Sequence, residues 1–151
     1  MSAWSSKLLR RHTAIRQMLR EADLALLVQI GVFASLVPLL MRLKLARVER
    51  LLRVRHPPQL RSSQSLETIV QHLQFARRIG SPLVRSSCLT RGVTLYYFLR
   101  RAGIDVTLAF GVRGVGAEFT GHCWLERGGI PILEHEDPRT LYVPTLSIPF
   151  E

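Results

Sequence analysis

The first half of the chain carries two helical patterns of apolar residues. Residues 24–41 are apolar apart from one glutamine and one serine, and residues 42–56 continue as a basic helical run. Two consecutive prolines end that run, because proline cannot continue a helix and holds the residue before it in an extended conformation. The polar residues that follow are typical of a linker. We therefore predict an N-terminal helical segment over residues 1–62 and a second domain over residues 63–151.

The second domain opens with two amphipathic helices and continues with strands. Residues 65–80 and 86–103 carry apolar residues at helical spacing, and each ends at a glycine after two arginines. Ser65 is the candidate cap of the first stretch, and Ser86 or Ser87 that of the second. Residues 104–112, 119–126 and 130–134 are rich in β-branched and aromatic residues, which predicts strands. This order predicts an α+β fold with an antiparallel sheet packed on helices.

The apolar stretch at residues 24–41 is close to the minimum length for a membrane span, which is about 17 to 20 residues. Asp23 and Pro38 interrupt the stretch or its edge, and basic residues flank both ends, so charge gives no orientation. A small-residue cleavage pattern typical of a signal peptide is absent. We favour a buried or partner-covered helix, with membrane association through residues 24–41 as the alternative.

The net charge and the two cysteines argue against several classes of protein, namely nucleic-acid-binding, structural-zinc and disulfide-rich proteins. The net charge of +10 would suit a polyanionic partner, but the basic residues are scattered and accompany no nucleic-acid-binding motif, so we predict no nucleic-acid binding. The two cysteines, Cys88 and Cys123, form no paired framework typical of structural zinc or disulfides. A reducing cytoplasm is the expected location.

Cys88 opens the second amphipathic helix, in SSCLTR at residues 86–91. Unpaired N–H groups in the first turn of a helix carry partial positive charge, which stabilises a thiolate and can also hold an oxyanion. The position therefore suits a nucleophile. The alternative is a small buried cysteine that only packs.

The strand at residues 119–126, FTGHCWLE, carries a histidine beside the other cysteine. Side chains alternate along a strand, so His122 and Cys123 point to opposite faces, with Cys123 on the side of Phe119 and Leu125. This alternation argues against the pair as ligands of one metal ion. It predicts that Cys123 is a core residue.

The turn RGG at residues 127–129 decides which residue faces the histidine. A three-residue loop places Glu134 opposite His122, and this is the register that we predict. A two-glycine turn would instead place His135 opposite His122 and turn Glu134 to the other face.

A thiol, an imidazole and an orienting carboxylate are the parts of a cysteine acyl-transfer triad, and Cys88, His122 and Glu134 supply them in order. Each has a structural alternative, namely a packed cysteine, a half-buried histidine and a solvated acid. Metal binding by EHED at residues 134–137 is the competing site, but the cluster lacks a ligand-pair spacing. We expect a solvated acidic loop there, and no metal or cofactor.

Two segments, SSCLTRGVTLYYFLRRAGIDVTLAFGVRG from residue 86 and FTGHCWLERGGIPI from residue 119, resemble the lasso peptide biosynthesis B2 proteins, the transglutaminase-like leader peptidases of microcin J25-type pathways. The cysteine-leucine-x-arginine start, the glycine-valine-arginine strand end and the histidine-x-tryptophan strand match in order and spacing. The resemblance covers residues 65–145, and more loosely the N-terminal apolar helix. It implies a transglutaminase-like fold related to papain-type cysteine proteases.

The resemblance also implies roles for individual residues. Cys88 is the nucleophile and His122 the general base and acid, while Glu134 stands where an aspartate is usual, which leaves Asp137 as a substitute. Other departures are Cys123 and Gly92, which stand where alanine is common. The implied activity is removal of the leader from a ribosomally made precursor peptide through a thioester intermediate.

The partners implied are the precursor peptide, a separate leader-recognition protein and the ring-closing synthetase, with the N-terminal region as a docking surface. Two rival functions remain. The same triad can transfer its acyl group to an amine rather than to water, or the domain can be a non-catalytic scaffold that binds a peptide or a synthetase.

Overall fold

A computed structural model describes residues 21–53, 65–79, 87–114 and 116–149. The helices are α1 (Glu21–Leu40), α2 (Leu45–Leu52), α3 (Leu66–Ile79) and α4 (Cys88–Arg101). The strands are β1 (Thr107–Arg113), β2 (Thr120–Arg127), β3 (Ile130–Ile132) and β4 (Val143–Ile148), and short 3₁₀ turns lie at Gly116–Glu118 and Pro138–Thr140. The predicted linker and the boundary at residue 62 lie outside the described residues, so that division stays a prediction.

Helices α3 and α4 begin at the serines that the sequence predicts. The Thr68 N–H donates to Ser65 Oγ over 3.2 Å, and the Thr90 N–H donates to Ser87 Oγ over 3.1 Å. Each hydroxyl therefore satisfies one of the N–H groups that a helix leaves unpaired at its start. At its other end, α4 is followed by Gly103 in a left-handed conformation, as the sequence predicts.

Helix α1 presents two different apolar faces. One face is buried in a core shared with α3 and α4, and it comprises Leu26, Ile30, Ala34 and Val37. The opposite face is exposed and comprises Leu24, Val28, Val32, Leu36 and Leu39. The rings of Phe33 on α1 and Tyr97 on α4 stack at 4.6 Å between centroids. The predicted burial is thus confirmed for one face, and no helix in the described ranges has the length and apolarity to cross a membrane.

The four strands form one antiparallel sheet in the order β3-β2-β1-β4, with α4 packed on β2 and β1. Leu108, Cys123 and Leu125 belong to the core on this side, which confirms the predicted placement of Cys123. Strand β4 was not predicted from the sequence, because it contains Pro144. Proline is tolerated at the edge of a sheet, where its missing N–H removes no ladder bond.

The β2–β3 hairpin does not have the predicted register. Arg127 pairs with Ile130 and Leu125 with Ile132, so the turn contains only Gly128 and Gly129. Both glycines have positive φ, of 58° and 75°, which only glycine adopts readily and which matches the twist of a two-residue hairpin. The prediction of a three-residue loop is therefore wrong, and β3 ends before it can pair with the strand position of His122.

Candidate active site

Cys88 lies half-buried at the start of α4. The thiol and the backbone N–H of Cys123 and the ring of His122 all stabilise its thiolate form. The hydrogen bond from the Cys123 thiol lowers the pKa of Cys88 most, and His122 lowers it further against the opposing effect of burial, so that the pKa falls to about 5. A thiol with this pKa is a thiolate at neutral pH, which is the nucleophilic form.

The buried partner thiol has the opposite character. The hydrogen bond to Cys88, burial and the negative charge of the Cys88 thiolate all raise the pKa of Cys123 well above its ordinary value. Cys123 is therefore protonated and donates its proton to Cys88. The two thiols form an asymmetric pair of one thiolate and one thiol.

His122 contacts the carboxylate that was predicted to face it. Its Nε2 lies 3.4 Å from Glu134 Oε2, and both side chains are largely shielded from solvent, with exposures of 22% and 17%. The way in which Glu134 comes to lie beside His122 differs from the prediction, because Glu134 follows the end of β3 instead of pairing across the hairpin. Leu133 has a φ of 63°, and this left-handed residue turns the chain so that Glu134 points back toward the histidine.

Arg91 links the nucleophile's helix to this acidic segment. The residue lies one helical turn after Cys88, and its Nη2 donates to the carbonyl oxygen of Leu133 and lies 3.3 Å from Glu134 Oε1. One guanidinium thus contacts both the left-handed residue and the carboxylate. Residue type and spacing alone do not indicate a role for Arg91, although it belongs to the cysteine-leucine-x-arginine signature.

Two aromatic rings lie close to the imidazole of His122. The ring of Tyr142 lies 5.2 Å from that of His122 between centroids, and the buried Trp124 lies 6.2 Å away and nearly parallel. The guanidinium of Arg113 lies over the Tyr142 ring at 5.4 Å. No sequence pattern indicates Tyr142, which precedes the unpredicted strand β4. These rings restrict the orientation of the imidazole.

Asp137, the alternative to Glu134 as the third member of the triad, contacts Arg139 instead. It caps the 3₁₀ turn by accepting from the Arg139 N–H over 2.9 Å, and it also forms an ion pair with the Arg139 side chain at 2.7 Å. The guanidinium of Arg139 lowers the pKa of Asp137 through this hydrogen bonding. His135 and Glu136 are exposed. Within the described residues, His, Cys, Asp and Glu side chains form no group of three that could hold a metal ion.

Comparison with known families supports the fold. A family model for the transglutaminase-like superfamily matches residues 32–147, from within α1 to the end of β4. Neither the curated proteins nor the solved structures contain a match to the chain. The helices and the four-stranded antiparallel sheet form the α+β architecture that the sequence predicts.

Proposed function

Because the chain belongs to the transglutaminase-like superfamily, whose members are generally cysteine proteases or acyltransferases, we propose that it is a cysteine peptidase that removes the leader from a lasso-type precursor peptide. One observation carries the proposal. Cys88 has a lowered pKa at a helix start and contacts His122, which in turn contacts Glu134. A nucleophile, a base and an orienting carboxylate in series are what acyl transfer requires.

The first chemical step is attack by the Cys88 thiolate on the carbonyl carbon at the leader–core junction. The developing oxyanion is stabilised by first-turn N–H groups of α4 that Ser87 does not engage. His122 protonates the departing amine, and a thioester to Cys88 remains. Because Nε2 faces Glu134, Nδ1 is the ring nitrogen left to exchange protons at the reacting centre.

In the second step, His122 removes a proton from a water molecule, which attacks the thioester and releases the leader. Glu134 holds the imidazole in one tautomer and stabilises the imidazolium, which gives up its proton in the first step and forms again in the second. Arg91 fixes the carboxylate by contacting it on the side away from His122, through Oε1, while Oε2 faces the ring. The acid therefore keeps its orientation while the histidine changes charge.

Recognition of the leader is proposed to need a partner. By the resemblance, a separate leader-recognition protein presents the precursor peptide, and a ring-closing synthetase uses the product. The exposed apolar face of α1 is a surface on which such a partner would bury area.

A first test needs no substrate. The rate of Cys88 alkylation by iodoacetamide is measured against pH with site-resolved mass spectrometry, in the parent protein and in His122→Ala. We expect the parent to react with a midpoint near pH 5, because the thiolate is present above the lowered pKa. In His122→Ala the midpoint rises, since one donor and one positive charge are lost. Cys123 is the internal control and stays unreactive across this range.

A second test identifies the acyl acceptor. The protein is incubated with lasso-type precursor peptides and leader-recognition proteins from the same genome, and the products are weighed by mass spectrometry. Leader removal gives two fragments whose masses sum to the precursor plus one water. A product that retains an added amine contradicts hydrolysis and indicates amide transfer. Ordinary titration of Cys88 together with no product in either form overturns the enzymatic proposal.

A further inference from the structure

The only two cysteines of the chain meet at the proposed active site. The Cys123 thiol stabilises the Cys88 thiolate. A second contact places the same sulfur independently, because a Cβ added to Gly92 would lie 3.0 Å from Cys123 Sγ. Gly92 follows Cys88 by four residues and so lies on the same face of α4. The Cys123 sulfur is therefore packed along the side of the helix that carries Cys88.

The two thiols differ in access as well as in charge. Cys88 is partly exposed, whereas Cys123 is only 4% exposed and belongs to the hydrophobic core. Oxidants react with accessible thiolates, so Cys88 is the site of first attack and Cys123 is not. A protected thiol beside an oxidisable one is the arrangement found in redox-sensitive sites that close a disulfide.

We propose that Cys123 is a resolving thiol, which closes a reversible disulfide with Cys88 after a hydroperoxide has oxidised Cys88. In the first step the Cys88 thiolate attacks the peroxide, an S–O bond forms, the O–O bond breaks, and hydroxide or alkoxide leaves. The sulfur is oxidised by two electrons and the peroxide is reduced. In the second step the Cys123 sulfur attacks the Cys88 sulfenic acid, the S–S bond forms, and the Cys123 proton leaves with the hydroxyl group as water.

The first oxidation also prepares the second thiol. The interaction with the Cys88 thiolate, burial and the negative charge of that thiolate hold Cys123 protonated. A sulfenic acid is neutral, so the contributions of the thiolate are lost once Cys88 has reacted, while burial and the charge of Glu134 continue to oppose ionisation of Cys123. Cys123 thus becomes a better nucleophile when its neighbour needs one.

The disulfide would remove the proposed nucleophile and shield it from further oxidation to sulfinic acid, which thiol reductants do not reverse. A reducing agent would then regenerate the Cys88 thiolate. This consequence for catalysis rests on the proposed function. Formation of the disulfide does not, because it requires only the two sulfurs and a peroxide.

The test uses the full chain with no substrate. The protein is treated with a few equivalents of hydrogen peroxide, blocked with N-ethylmaleimide under denaturing conditions, and mapped by non-reducing mass spectrometry. We expect a peptide pair linked through Cys88 and Cys123, with both cysteines unblocked, and full blocking of both after dithiothreitol. In Cys123→Ala, Cys88 should instead be trapped by dimedone as a sulfenic acid or be found as sulfinic acid.

Two controls keep the outcome interpretable. Far-ultraviolet circular dichroism of Cys123→Ala establishes that the variant is folded, and Cys88→Ala tests whether Cys123 is oxidised without its neighbour, which we expect not to occur. A wild-type protein in which Cys88 is oxidised while Cys123 is still fully blocked overturns the proposal, as does linkage between two chains only. A linked pair in a protein that cleaves no precursor supports the resolving thiol and contradicts only the peptidase.

Discussion

Two carboxylates three residues apart, Glu134 and Asp137, both contact an arginine, yet their surroundings differ completely. Asp137 makes the shorter ion pair, 2.7 Å to Arg139, but does so at the surface and within a single turn. Glu134 makes the longer ion pair, 3.3 Å to Arg91, but its side chain is shielded from solvent and its second carboxylate oxygen contacts His122. The shorter of the two ion pairs is therefore not the one that lies at the proposed active site.

Screening explains the difference. Water and salt weaken the attraction between exposed charges, and exposed pairs contribute little to stability. Between shielded groups the same attraction is less screened, and Glu134 lies 3.4 Å from the imidazole that it can orient. Glu134 is thus placed to influence chemistry, whereas Asp137 is placed to shape a surface turn.

The largest difference between the two carboxylates is expected when each is neutralised in turn. Glu134→Gln should lower kcat/KM for precursor cleavage by roughly 10²- to 10⁴-fold, because the imidazole loses its orienting charge. Asp137→Asn is the matched control and should stay within about 2-fold, since an asparagine can still cap the turn. Cleavage rates followed by mass spectrometry measure both. Equal losses in the two variants would contradict the assignment of Glu134.

A smaller effect is expected from the arginine that holds Glu134. Arg91→Gln should lower kcat by roughly 10-fold with KM unchanged, a loss below the 10²-fold that a 1 Å misplacement can cause. Arg91 acts as a positioning residue, so Arg91→Lys should recover part of the rate. Arg100→Gln, on the same helix but paired with the exposed Asp105, is the control and should leave kcat unchanged. An equal fall in both glutamine variants would indicate a general effect on α4.

The two capping residues near the site allow a comparison of stability. Ser87→Ala should lower the free energy of unfolding by about 1 kcal/mol, because the Thr90 N–H loses its acceptor at the start of α4. Ser87→Thr keeps a hydroxyl and should lose less. Asp137→Ala affects only a three-residue turn and should lower the melting temperature less than Ser87→Ala does. Urea unfolding and thermal melts measure these values, and the reverse order would show that the surface turn matters more.

The smallest effect concerns salt. Arg139 lowers the pKa of Asp137, so the carboxylate should titrate below its usual range at low ionic strength. In 1 M salt, where charges are screened beyond about 3 Å, its pKa should rise only slightly, because Arg139 at 2.7 Å acts on Asp137 chiefly through hydrogen bonds. Carbon-13 NMR titration of the carboxyl carbon follows the change. A pKa that returns to about 3.9 in 1 M salt would mean that charge, and not hydrogen bonding, holds it down.

The parts of the site that depend on local sequence could be predicted. The cap at Ser65, a cap at one of the two serines before Cys88, the position of Cys88 at a helix start and the inward direction of Cys123 all follow from short-range rules of helix capping and strand alternation. The predicted neighbour of His122 is present as well, but through different geometry. The predicted register of the β2–β3 hairpin is wrong, and Leu133, in a left-handed conformation, instead turns the chain so that Glu134 points toward His122.

The remaining features depend on contacts that a sequence pattern does not encode. A leucine in the left-handed region costs roughly 1 kcal/mol or more, so no propensity rule predicts it at Leu133. Its cost is offset by contacts such as the hydrogen bond from Arg91, which lies 42 residues away along the chain. The meeting of Cys88 with Cys123 is likewise a product of how α4 packs on β2, and Tyr142 reaches His122 through the unpredicted strand β4.

The division of α1 into a buried and an exposed apolar face also has a consequence for biosynthesis. The helix leaves the ribosome well before α3 and α4, which cover its inner face. At roughly 5 to 20 residues per second, both faces stay uncovered for some seconds of translation. A nascent chain in this state is a substrate for chaperones that bind apolar segments, and the yield of folded protein should depend on them until Tyr97 emerges to stack on Phe33.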